Sequence, residues 1–371
     1  MKRTCFAVAV TYSALSGLAQ AQSGVTLYGV VDTNIEYVNH LSAVQPTQPG
    51  FPGPAQSRVA MMSGGLSGSR WGLRGTEELG SGARAVFVLE SGFALDDGRQ
   101  GQGGRLFGRQ AFVGLQKDGI GRLTFGRQYS TLFDAMADYS PARYGTQYEP
   151  AVAQLGPGYR SDNAVKYVGK FGGLTANAYW SFGNGATGAG EVPGQFRRDT
   201  AYGAALSYSG GPFGMALAYD QYNPTRVTAT GATGDAKKVA VAANYAAGRA
   251  KIMGGYRWGR SRSANDTTLL RDDYYWAGVS YDMTPTLGLT LAYYYEDIKS
   301  LAGENPKNPW QVSFIADYNL SKRTDLYLST AYAKNSGLNF DTSAISFANG
   351  YFPGQGKNDM FGVVIGMRHR F

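Results

Sequence analysis

Reactive chemistry has few places to sit in this chain. Its two histidines are His40 and His369, and its single cysteine is Cys5. An acyl-transfer relay needs an imidazole beside an activated nucleophile, and neither histidine falls in a nucleophile motif. No Cys/His cluster has the spacing of a metal site. Gly183-Asn184-Gly185-Ala186-Thr187-Gly188 matches GxGxxG. Gly190, Pro193 and Gly194 follow it, however, and such residues cannot open the helix that would hold a pyrophosphate. It reads as a loop in a glycine-rich chain. There is no Walker A lysine motif, and no carboxylate pair stands out for acid–base work by spacing alone. The expectation is a protein that is not an enzyme, with no cofactor and no metal.

With chemistry this sparse, the elements themselves become the question. Lys2 and Arg3 precede an apolar stretch from Phe6 to Leu18, and Ala19-Gln20-Ala21 supplies small residues where a signal peptidase reads. Residues 1–21 are therefore expected to be a cleaved export signal, and 22–371 a single domain. The apolar stretch is shorter than the ~20 residues of a spanning helix. Cys5 leaves with the leader, which removes disulfides and thiolate chemistry from the exported chain. The formal charge of +8 becomes 8 − 2 = +6 without Lys2 and Arg3. That excess is spread along the chain with no Lys/Arg run, so no nucleic-acid partner is expected.

The 371 residues include 52 Gly and 26 Tyr, and the mean hydropathy is −0.27. Hydropathy alone suggests a soluble protein, but in a transmembrane β-barrel lipid-facing and lumen-facing residues alternate and the average cancels. Alternation is what the chain shows. Val25, Leu27, Gly29, Val31 and Ile35 share one face, and Thr26, Tyr28, Asp32, Asn34 and Glu36 mostly the other. Phe213, Met215, Leu217 and Tyr219 alternate with Gly214, Ala216, Ala218 and Asp220. Stretches around 174–181, 287–294 and 311–317 repeat the pattern, as half-buried strands require. Helical periodicity is nearly absent, apart from one short turn at 131–139.

The connections alternate in length. Short ones rich in Gly, Pro, Ser or Asp fall at 78–82, 117–121, 171–173, 209–212, 246–248, 283–286 and 321–323. Long polar ones fall at 39–57, 92–104, 129–162, 182–198, 223–236, 260–272, 299–308 and 336–357. Seven turns and eight loops give sixteen strands. Turns on one rim, loops on the other and an even strand count predict an all-β, 16-stranded antiparallel transmembrane barrel. Closure removes the unpaired edges that lipid cannot solvate. Aromatic clusters at Tyr274-Tyr275-Trp276 and Tyr293-Tyr294-Tyr295 read as interfacial girdles.

Several stretches then become recognisable. SRWGLRGTEELGSGARAVFVLE (69–90), LFGRQAFVGL (106–115), LTFGRQY (123–129), SDNAVKY (161–167), VTLYGVVD (25–32) and the terminal GMRHRF occur in order along the chain. Together they resemble the Gram-negative general trimeric porins, specifically the β-proteobacterial branch. The resemblance implies passive diffusion of ions and small hydrophilic solutes through the outer membrane, a homotrimer, contact with outer-membrane lipid and lipopolysaccharide, and a third loop (129–162) folded inward. It places Arg70, Arg109 and Arg160 on a basic wall, facing Asp134, Asp138 and Glu149 of that loop, and Arg74 joins the wall because it shares the parity of Arg70. Arg84, Arg105, Arg127 and Arg143 are further lumen candidates. It makes Phe371 the signal read by the barrel-assembly machinery. One departure is Val30, where enterobacterial members carry a lysine after LYG. The basic excess adds an expected weak preference for anions. Alternatives are a substrate-specific barrel, a surface β-sheet binding protein, or an outer-membrane hydrolase dependent on His40 or His369.

Overall fold

Alternation along each strand decides which face turns inward, and the sheet closes around the polar one. The computed structural model describes residues 24–156, 158–184, 191–227, 232–342 and 350–371. The expected leader 1–21, with Cys5, and most of the GxGxxG stretch lie outside the described residues. Strand β1 (Gly24–Ser42) pairs on one side with the last strand, β16 (Asp359–Arg370). On the other side it pairs with β2, which runs in two pieces, Ala55–Ser63 and Arg70–Gly80. In chain order follow β3 (Ala83–Gly92), β4 (Gln110–Lys117), β5 (Gly121–Tyr129), β6 (Arg160–Phe171), β7 (Leu174–Ser181), β8 (Ala201–Gly210) and β9 (Phe213–Tyr222). Then come β10 (Asp235–Ala247), β11 (Ala250–Arg262), β12 (Thr268–Asp282), β13 (Leu287–Leu301), β14 (Trp310–Asn319) and β15 (Thr324–Lys334). Every neighbour pair is antiparallel, and the ring of sixteen closes.

The surface is apolar and the interior charged. Val59 is 71% exposed and Ile365 68%, while Asp32, Glu36 and Asp325 are fully buried. Such an outer face has no favourable partner in water, and a lipid band supplies one.

Turns at 81–82, 118–120, 172–173, 211–212, 248–249, 283–286 and 320–323 line one rim, and the long loops line the other. Several expected loops are shorter than the sequence suggested. The first spans 43–54, so His40 belongs to β1 and not to a loop; its Nδ1 lies 2.8 Å from Asp359 Oδ1. The sixth spans only 263–267, because β11 and β12 pair far beyond the apolar band. The aromatic triplets are also reassigned. Three consecutive strand residues cannot share a face. Tyr275, Tyr293 and Tyr295 point outward, whereas Tyr274, Trp276 and Tyr294 are buried in the lumen.

The third loop, 130–159, occupies the lumen. Ser130 caps helix α1 (Thr131–Met136), its Oγ accepting from Phe133 N at 3.3 Å. A second short helix, α2 (Ala151–Leu155), follows. Leu132, Met136, Tyr139 and Leu155 pack on Ala216, Ala218, Ala240 and Ala242, the lumen faces of β9 and β10. Small wall residues make the room that the loop fills. Polar anchors fix its position: Trp276 Nε1 donates to Tyr139 O (2.8 Å), Gln311 Nε2 to Tyr148 O (2.9 Å) and Arg257 Nη2 to Ala153 O (2.6 Å).

Candidate functional site

Loop 3 leaves the opposite side of the lumen open. There it faces β2 to β6 across a cavity of about 510 Å³. Arg70, Arg109 and Arg160 line it together, from β2, the residue just before β4 and the start of β6. Glu90 on β3 knits the first two: Arg109 Nε donates to it at 2.8 Å, Arg70 Nε lies at 3.7 Å, and Tyr28 OH donates at 3.0 Å. Arg160 is held by aromatic faces, its guanidinium 4.8 Å from the Tyr129 ring centroid and 4.7 Å from that of Tyr159. Tyr129 in turn stacks on Phe133 of α1 at 4.0 Å.

The remaining expected residues are distributed differently. Arg74 shares the face of Arg70 but sits two same-face positions nearer the turn rim, 5.3 Å over Tyr28, and does not line this cavity. Asp134 is exposed in the lumen and pairs with Lys166 of β6. The exposed Asp138 is anchored through its carbonyl, which accepts from Lys251 Nζ at 2.9 Å. Glu149 is buried. It accepts from Ser140 Oγ, from Gly145 N at 2.9 Å and from Tyr294 OH at 3.1 Å, and so ties the loop to β13. Burial pushes its carboxyl above the ordinary value, against the pull of those hydrogen bonds.

Other parts of the site were not read from the sequence. Between its two pieces β2 leaves the wall, and residues 64–69 arch into the lumen. Asp32 holds the arch, accepting from Gly65 N (2.9 Å), Leu66 N (3.1 Å), Ser67 N (2.7 Å) and Tyr327 OH (2.6 Å). Gly65 is required there, since a Cβ would stand 2.1 Å from Tyr327 Oη. A second cavity of about 440 Å³, reaching the turn rim at Thr284 and Pro285, shares Leu66, Ser67 and Arg143 with the first. The arch and Arg143 of loop 3 thus mark the passage between the two spaces. Arg143 is exposed and has no ion-pair partner among the described residues. Glu36 does for the outer side what Asp32 does below. It accepts from Tyr148 OH of loop 3 (2.9 Å) and Tyr351 OH of the last loop (2.7 Å), and pairs with Arg58 (2.8 Å).

Only Glu90 carried a usable sequence signal. The two-residue 81–82 turn sets the β2–β3 register, which puts Glu90 opposite Gly72 on the face of Arg70. The arch depends on contacts between residues far apart in sequence and had none.

Around the mid-lumen cavity stand four arginines, at 70, 109, 143 and 160, against Glu90 and the buried Glu149, so 4 − 2 = +2. Guanidinium groups keep their charge side by side, because they do not deprotonate in proteins. Clustered cations in a narrow aqueous slot raise the local concentration of anions and orient dipolar solutes. The histidines lie at opposite rims, His40 with Asp359 and His369 Nδ1 2.8 Å from Thr324 Oγ1.

Residues 6–338 match the family model described as Gram-negative porin. The chain is 32% identical to an outer membrane porin protein of Bordetella pertussis and 30% identical to outer membrane porin protein 32 of Delftia acidovorans; each alignment covers 100% of both chains. Among solved structures, it resembles an anion-selective porin from Comamonas acidovorans with a TM-score of 0.77 and 28% identity, over 94% of this chain and 100% of that one.

Proposed function

This chain belongs to the Gram-negative porin family, and we propose that its lumen is a passive, anion-favouring pore for ions and small hydrophilic solutes. The observation that carries the preference is the +2 balance of Arg70, Arg109, Arg143 and Arg160 against Glu90 and Glu149 around one cavity. The Comamonas acidovorans protein that it resembles is an anion-selective porin, which points the same way. In this reading Arg70, Arg109 and Arg160 form the basic wall, Arg74 extends it toward the turn rim, and Asp134 and Asp138 supply the acidic side. Glu149 acts by holding the loop rather than by facing the solute. Transport needs no energy source and makes no covalent bond. Reversal potentials in a salt gradient across a planar bilayer test the preference: an anion-selective sign is expected, and a clear cation-selective sign rejects it.

Assembly belongs to the same proposal. The protein is read as a homotrimer in the outer membrane, among its lipid and lipopolysaccharide, after removal of residues 1–21. Phe371 is the assembly signal. Its backbone pairs with Gly29 at 3.0 and 3.1 Å, and its ring lies over that glycine, where a Cβ would stand 2.3 Å from the ring. Light scattering in detergent should give three times the mature mass, and Phe371→Ala should lower the assembled yield.

A further inference from the structure

A third cavity, of about 330 Å³, lies on the loop side of α2. It shares Val152 and Leu155 with the arginine-lined cavity, so the helix separates two neighbouring spaces. Its character differs. Leu155 and Val152 of the loop face Leu269, Leu270 and Leu301 of β12 and β13. Most of its charged groups are engaged with other side chains, Lys237 and Arg260 with Asp235 at 3.7 and 3.9 Å. Arg257 is buried on Asp272 at 2.5 Å and on the Ala153 carbonyl, and Asp220 accepts from Tyr179 OH at 2.8 Å. Lys238, on the lumen face of β10 next to Ala240, is the exception. Asp220 stands directly across the β9–β10 ladder from it, and its ammonium feels the Asp220 and Asp272 carboxylates, but it makes no hydrogen bond or close ion pair among the described residues. Gly156 leaves the space for it: a Cβ there would stand 2.6 Å from Nζ.

We propose that this cavity is a binding site for amphiphilic monocarboxylates, short-chain fatty or aromatic acids that enter from the loop side. The ammonium of Lys238, which has no hydrogen bond among the described residues, takes the carboxylate, and the leucine wall takes the apolar body. The volume stands at the small end of the range for small-molecule pockets, which favours a compact ligand. An inorganic polyanion fits poorly, because the leucine wall leaves most of its oxygens without donors. A solute held here is one helix width from Arg160 and its neighbours, which makes the site a capture step ahead of the basic passage. The inference rests on the porin reading, since it needs a conducting lumen.

Single-channel recording of the purified protein tests it, with sodium hexanoate or sodium acetate added on the loop side under a chloride current. Hexanoate should interrupt the current at concentrations where acetate does not. Lys238→Gln should raise the half-blocking hexanoate concentration about tenfold, the loss expected for one charge-assisted hydrogen bond. Leu270→Ser should remove most of the advantage of hexanoate over acetate. Block that survives in K238Q but disappears in Arg160→Gln would assign the anion to the arginine cavity and overturn the proposal. Equal block by acetate and hexanoate would overturn it too. Open chloride current in every arm keeps a failed site distinct from a failed pore.

Discussion

The two sides of loop 3 meet the barrel wall in opposite ways. Along α1, toward β9 and β10, it is sealed: Leu132 and Met136 are fully buried on alanines, and Arg257 clamps α2 from within. Toward β2 to β6 it stands off, and the gap is lined by guanidinium groups and tyrosine rings. The sealed side uses apolar contact and buried hydrogen bonds to hold the loop against the entropy of a long flexible segment. The open side can then present fixed charges without having to hold anything. Position and selectivity are thereby assigned to different residues, and each can be perturbed alone.

The strongest perturbation should come from the sealed side. Arg257→Ala leaves Asp272 and Glu296 buried without their cation and should cost about 3–5 kcal/mol. Urea unfolding in micelles would read the loss, and noisier open-channel current would read the freed loop. On the open side, Asp32→Ala orphans three backbone N–H groups of the arch. A loss of about 3 kcal/mol is expected, with higher conductance as the passage at Leu66 and Arg143 loosens. Ala240→Phe overfills the wall behind α1 and should cost about 1–3 kcal/mol. It pushes the loop toward the arginines, so conductance should fall while the sign of selectivity stays. At the turn rim, Arg84 pairs with the exposed Glu78 and Asp118, and Arg84→Gln should change neither stability nor selectivity measurably.

This division explains what could be read from the sequence. Met215 and Leu217 alternating with Ala216 and Ala218 give the two faces of β9, and repetition of that pattern gives the strand count. Period 2 also contains the correction to the aromatic clusters, because Tyr274 and Trp276 must face away from Tyr275. Arg70, Arg109 and Arg160 were found through motif resemblance, and the structure brings the three together. Arg143 and the 64–69 arch were not separable from the background. Their positions follow from Asp32 and from the packing of loop 3, which are contacts between segments that no local pattern relates. His40 was misplaced because β1 continues past the apolar band, where alternation fades but pairing with Ala55–Ser63 does not.

The central claim is that the arginines on the open side set the charge preference of the pore. The most direct test is the reversal potential of the Arg70→Gln/Arg109→Gln/Arg160→Gln variant beside the unmodified protein, in the same potassium chloride gradient. The account predicts an anion-selective potential for the unmodified pore that collapses toward zero or inverts in the variant, with the channel still open. An unchanged anion-selective potential in the variant would contradict it.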